Sequence, residues 1–187
     1  NRNLVEPHGG SLVNLMVGKQ RADEIKSASR EWPSWSLTSR QLCDLELIMN
    51  GAMSPLTGFM GKADYKSVCE KMRLADGTLW PLPVVLDVSE ETAGGVSAGT
   101  QLALRDAEGV MLAVLTVEDI WQPDREAEAE QVFGTTNPEH PGVAYLLNET
   151  NPFYMGGSVE GVEPIRHYDF AELRLTRGKA FGPVTVT

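Results

Sequence analysis

His8-Gly9-Gly10 is the segment whose residue types come nearest to holding an anion, because successive backbone N–H groups at a glycine-rich turn form a concave site. No strand and helix follow it in the arrangement that phosphate loops need, so it reads as a structural turn fixing the first strand. Ser54 has no base placed near it by the sequence and is a poor nucleophile candidate. Glu126, Glu128 and Glu130 alternate along a predicted helix, fan around it, and read as a solvated face rather than a metal site. His8, His140 and His167 share no ligand spacing, and Arg166-His167 reads as a strand end rather than an anion clamp. Cys43 and Cys69 both fall on helical patterns among apolar residues and read as two buried thiols of a reducing compartment; a disulfide is also compatible with the sequence. The sequon Asn148-Glu149-Thr150 has no meaning in a cytoplasmic chain.

The elements that must carry these residues belong to an ordinary globular chain. It has 187 residues, 42% hydrophobic and 22% charged, enough for one substantial core. The net charge is -10, and the Lys and Arg residues are scattered without a run longer than two. That composition disfavours nonspecific nucleic-acid binding, which needs clustered cations. No apolar run approaches the ~20 residues of a membrane span, and no secretory signal opens the chain. The expectation is a cytoplasmic protein without a membrane partner.

The spacing predicts an exposed helix over 20–31, stopped at Trp32-Pro33, and a short strand over Trp35 to Leu37. A clearer helix covers 39–50, with Thr38 and Gln41 as a capping box, Leu42, Leu45, Ile48 and Met49 as its inward stripe, and Gly51 as the left-handed residue after it. A second covers 62–72, burying Tyr65, Val68, Cys69 and Met72. Beyond it the texture turns to β: a strand over Val84 to Val88, and a hairpin from Gln101–Arg105 through Asp106–Gly109 to Val110–Trp121. A short acidic helix is expected over 123–133, then strands over Gly142 to Asn148 and Tyr154 to Ile165, with Gly156-Gly157 as a bulge or bend. Helices gathered in the N-terminal third and many short strands afterwards indicate an α+β fold with a bent or barrel-like sheet. The strand–helix alternation of a doubly wound nucleotide-binding fold is lacking.

Three stretches share one resemblance. They are Glu6-Pro7-His8-Gly9-Gly10-Ser11-Leu12-Val13; Asn50-Gly51-Ala52-Met53-Ser54-Pro55-Leu56-Thr57-Gly58-Phe59-Met60 followed by Met72-Arg73-Leu74-Ala75-Asp76-Gly77-Thr78-Leu79-Trp80-Pro81; and His140-Pro141-Gly142-Val143-Ala144-Tyr145-Leu146 with Gly156-Gly157 and Arg166-His167-Tyr168-Asp169-Phe170. In this order, from Leu4 to Thr176, the chain resembles the N-terminal, non-catalytic region of the ATP sulfurylases (sulfate adenylyltransferases). The resemblance implies a PUA-like domain over 1–176, a bent sheet or pseudo-barrel with flanking helices. Segment 177–187 departs from the family pattern and is expected to be a linker or the start of a junction to a catalytic domain.

In that family the following domain carries a Gln-x-Arg-Asn-Pro stretch, a His-x-x-His pair and a Gly-Arg-Asp-His-Ala-Gly loop, none of which occurs here. Asn137-Pro138-Glu139-His140 imitates the first, but Thr135-Thr136 replace the preceding Gln-x-Arg and Val143 stands where the second His belongs. No catalytic, cofactor-binding or metal-binding residue is therefore expected. The resemblance implies that the full-length protein joins sulfate to ATP with Mg-ATP as the nucleotide, making adenylyl sulfate and pyrophosphate for sulfate assimilation. It also implies a catalytic domain in the same chain, an adenylylsulfate kinase domain as an optional further partner, and a homo-oligomer. The apolar loop at Ser54, Pro55, Leu56, Gly58 and Phe59 is the candidate interdomain contact, with core packing the simpler role. The alternative reading is a free-standing PUA-like module binding RNA or protein.

Overall fold

The computed structural model describes residues 6–167 and 169; Leu4, Val5, Tyr168, Phe170 and segment 177–187 of the readings above lie outside the described residues. The helices are α1 (Lys19–Ala28), α2 (Ser39–Met49), α3 (Lys62–Lys71), α4 (Glu90–Gly94), α5 (Arg125–Phe133) and α6 (Pro141–Asn148). The strands are β1 (Ser34–Ser36), β2 (Gly58–Phe59), β3 (Leu86–Val88), β4 (Gln101–Arg105), β5 (Met111–Trp121) and β6 (Phe153–Gly161). They form a six-stranded sheet in the order β1-β4-β5-β6-β2, with β3 also pairing β6. Only β1 and β4 run parallel; the other pairs are antiparallel.

Alternation along β4 and β5 explains why this sheet has two covered faces. Leu102, Leu104 and Leu115 point into the main core with α2 and α3, whereas Ala103 and Val114 point the other way, under Ala22 and Ile25 of α1. A register shift between Val117 and Asp119 bulges β5 where it faces Gly156-Gly157 of β6. An extra residue on one strand increases local twist and bends the sheet.

The α2 prediction is met in detail. Thr38 accepts from the Gln41 backbone N–H, Gln41 returns its side chain to the Thr38 N–H, and Gly51 takes φ +83° just past the end. Leu45, Ile48 and Met49 are buried, and Leu42 is half-buried. The hairpin of β4 and β5 also falls where its turn residues put it.

Several expectations are corrected. Residues 142–148 form α6, not a strand: His140 caps the helix by accepting from Gly142 N at 3.2 Å, and Pro141 occupies its first turn. A short apolar run does not distinguish strand from helix, but this capping pair does. With α4, α5 and α6 all beyond residue 89, the helices extend well past the N-terminal third. Met72 leaves the inward stripe of α3 because its backbone turns left-handed (φ 52°, ψ 39°), and it is 57% exposed. Cys43 is exposed, since it lies on α2 opposite the stripe, while Cys69 is buried. Glu128 is buried, unlike the exposed Glu126 and Glu130, because it alone of the three faces Tyr65 and Tyr154.

Candidate functional site

Two sequence-distant stretches of the resemblance come together in space. His8 donates from Nε2 to the Leu79 carbonyl at 2.7 Å, and its ring lies 6.0 Å from that of Trp80. Gly9 sits so close to Pro55 that an added Cβ would lie 2.7 Å from the proline ring. Ser54 accepts from Val13 N at 2.9 Å and donates to the Gly51 carbonyl at 2.7 Å. The loop after α2 is thus tied to the N-terminal segment, with a cis Ser54-Pro55 bond at its head.

The candidate interdomain loop is mostly packed within the domain itself. Ser54, Leu56 and Phe59 are 2%, 6% and 2% exposed, Gly58 is buried, and Pro55 is half-buried. Gly58 permits β2 to lie directly on β6: a Cβ there would lie 2.0 Å from the Gly157 carbonyl oxygen. The outer side of this loop lines a cleft of about 320 Å³ with Leu74, Asp64, Asp76, Glu118 and Ser158.

The charge of this cleft is one-sided. Asp64 accepts from Ala75 N at 2.7 Å, and Asp76 accepts from Thr78 N at 2.8 Å. That backbone donation holds the Asp76 carboxyl below the usual carboxylate range. No Lys or Arg lines the cleft. Polyphosphate recognition needs cationic or N–H donors, so these residues do not fit Mg-ATP. Among the described residues no group of three or more His, Cys, Asp and Glu is arranged to hold a metal ion. No described helix is long and apolar enough to cross a membrane.

The other polar candidates are absorbed by structure. Asp87, 2% exposed, accepts from Arg40, from the Gln41 side chain and from Asn151 through both its backbone and side-chain N–H groups. Glu128 accepts from the Tyr65 and Tyr154 hydroxyls at 2.9 and 3.0 Å. Burial pushes the Glu128 carboxyl upward and the two tyrosines upward as well. His140 is a helix cap, His167 lies 2.7 Å from Glu46, and Arg166 pairs with Glu163. The cleft carboxylates, Asp87 and Glu128 escaped the reading of the sequence as partners. A lone Asp inside the apolar run Val84-Val85-Leu86-Asp87-Val88 is a signal of a buried, satisfied carboxylate.

The bent six-stranded sheet, with its two packed faces and helical flanks, belongs to a recognised class. A family model described as "PUA-like domain" matches residues 5–164, and the chain belongs to that family. Curated relatives similar in sequence carry the name sulfate adenylyltransferase. The sulfate adenylyltransferase of Coccidioides immitis is 48% identical over 174 residues, covering 91% of this chain and 30% of the relative. That of Saccharomyces cerevisiae is 45% identical over 173 residues, covering 91% of this chain and 34% of the relative. A solved structure described as a hexameric APS kinase from Thiobacillus denitrificans has a TM-score of 0.74 and 35% identity, covering 94% of this chain and 30% of that one. The chain therefore spans about a third of the length of these relatives.

Proposed function

We propose that this chain is the N-terminal accessory domain of a cytoplasmic sulfate adenylyltransferase, over 1–176, with 177–187 leading toward a catalytic domain in the same polypeptide. The observation that carries the reading is 48% identity over 91% of the chain against only 30% of the relative's length. In this reading the full-length protein joins sulfate to ATP, forming adenylyl sulfate and pyrophosphate with Mg-ATP as nucleotide in sulfate assimilation. A fused adenylylsulfate kinase domain and a homo-oligomer are the further partners, in keeping with the hexameric relative.

The domain's own contribution is mechanical. Adenylyl transfer between two anions depends on concentrated positive donors positioned around phosphorus. A cleft lined by Asp64, Asp76 and Glu118 without a cation repels such substrates. The domain braces the catalytic part through the outer side of the Ser54, Pro55, Leu56, Gly58 and Phe59 loop. The test is pyrophosphate-dependent ATP formation from adenylyl sulfate, measured on the full-length chain and on the 187-residue chain. Turnover is expected from the first alone, and turnover by the second overturns the assignment. Salt-sensitive binding of RNA by the 187-residue chain would instead favour a free-standing module.

A further inference from the structure

The segment between α3 and β3 is built outward. After Met72 the chain forms a narrow antiparallel arm: Trp80 N donates to Met72 O at 2.9 Å, Arg73 bridges Leu79, and Leu74 N donates to Thr78 O at 2.8 Å. Asp76 and Gly77 make its tip, and Leu74 alone of its apolar residues is fully buried. Met72, Leu79 and Leu82 are 57%, 53% and 52% exposed, the most exposed large apolar side chains among the described residues. Leu12 and Val110, at 41% and 46%, stand apart from them in the chain.

The position of Met72 is informative. Continuing the α3 stripe would have placed it in the core beside Val68 and Cys69, out of water. Instead its backbone is left-handed and its side chain stands in solvent. That apolar exposure is what a covering surface would relieve. Leu74, Ala75 and Asp76 of the same arm line the acid-rimmed cleft.

We propose that the 72–82 arm is inserted into the remainder of the full-length polypeptide, the part possessed by the longer relatives and not included in these 187 residues. This rests on the reading of the chain as an accessory domain and adds a second docking element to the outer side of the Ser54–Phe59 loop. Relatives about three times the length of this chain supply an occupant of sufficient size. Its contact surface is an apolar groove for Met72, Leu79 and Leu82, edged by Lys or Arg that face Asp64, Asp76 and Glu118. The buried Ser54–Phe59 loop supports the arm from behind through Pro55, Gly9 and His8.

Hydroxyl-radical footprinting of the full-length protein tests this within one molecule. After normalisation for intrinsic reactivity, Met72, Leu79 and Leu82 should be labelled at least about fivefold more slowly than Leu12 and Val110, despite their greater exposure in the domain. Equal labelling overturns the proposal. Protection that vanishes on dilution overturns it too, because it would mark contact with a second copy. Adenylyl sulfate turnover on the same sample separates the two levels: turnover with an unprotected arm refutes the docking surface and leaves the accessory-domain reading standing. Leu82→Glu, on a residue already half in solvent, should lower the unfolding temperature of the full-length protein by several degrees; an unchanged transition counts against the proposal.

Discussion

The side-chain amide of Gln41 donates to both the backbone carbonyl and the carboxylate of Asp87, each at 2.7 Å. The same side chain accepts from Trp35 Nε1 and from Thr38 N, each at 3.0 Å. One fully buried glutamine therefore caps α2 and joins it to β1 and β3. Gln41→Ala leaves four polar atoms, on Trp35, Thr38 and the buried Asp87, short of a bond and is expected to destabilise the domain by about 3 kcal/mol. Urea unfolding should show a lower midpoint at an unchanged slope.

Glu128 predicts a pH dependence. Desolvation raises its folded pKa above the ordinary glutamate value, with Tyr65 and Tyr154 hydrogen bonds and the Arg125 and Arg40 charges opposing it. The contribution of this group is therefore complete below the unfolded pKa and is lost as pH rises through the raised folded one. Glu128→Gln keeps an acceptor for both hydroxyls without the charge. Its stability should fall less steeply than that of the parent as pH rises from mildly acidic toward neutral. Thermal melts at a series of pH values check this, and parallel curves would contradict it. Glu128→Ala strips the acceptor and should cost about 2 kcal/mol at acidic pH, where the carboxyl is protonated, and less as pH rises.

Gly58 is required by distance. A Cβ at this position would lie 2.0 Å from the Gly157 carbonyl oxygen and 2.9 Å from Ser158 Cα, both backbone atoms that cannot rotate away. Gly58→Ala should cost about 3 kcal/mol or more by forcing β2 off β6. Gly77→Ala, at an open turn with φ +93°, should cost only the roughly 1 kcal/mol of left-handed strain. Comparing their denaturation midpoints tests the distinction.

The cysteines should separate cleanly. Cys43 is exposed, whereas Cys69 is buried with its thiol pushed up to about 12, chiefly by desolvation. An aromatic disulfide reagent at neutral pH should release one thiol equivalent quickly from the native chain and a second only after unfolding. Cys43→Ser should abolish the fast phase.

Local chemistry by itself determined much of this protein. The capping box at Thr38 and Gln41, the β4–β5 hairpin and the acidic helix at 125–133 all lie where neighbouring residues put them, because caps, turns and periodicity act over a few positions. The three motif stretches in their order, the longest of them at 50–60 and 72–81, pointed to a sulfate adenylyltransferase relative. Tertiary structure decided the remainder. Which carboxylates are buried depends on groups far along the chain: Asp87 needs Arg40 and Asn151, and Glu128 needs Tyr65 and Tyr154. The His140-Pro141 cap starts the helix over the apolar run at 143–147, but packing against Ala129 and Phe133 decides where its apolar face goes. Met72 fits a helical stripe perfectly, yet its placement follows from a chain reversal closed by Trp80. Contacts across such separations are set by the whole fold, and no window of neighbouring residues contains them.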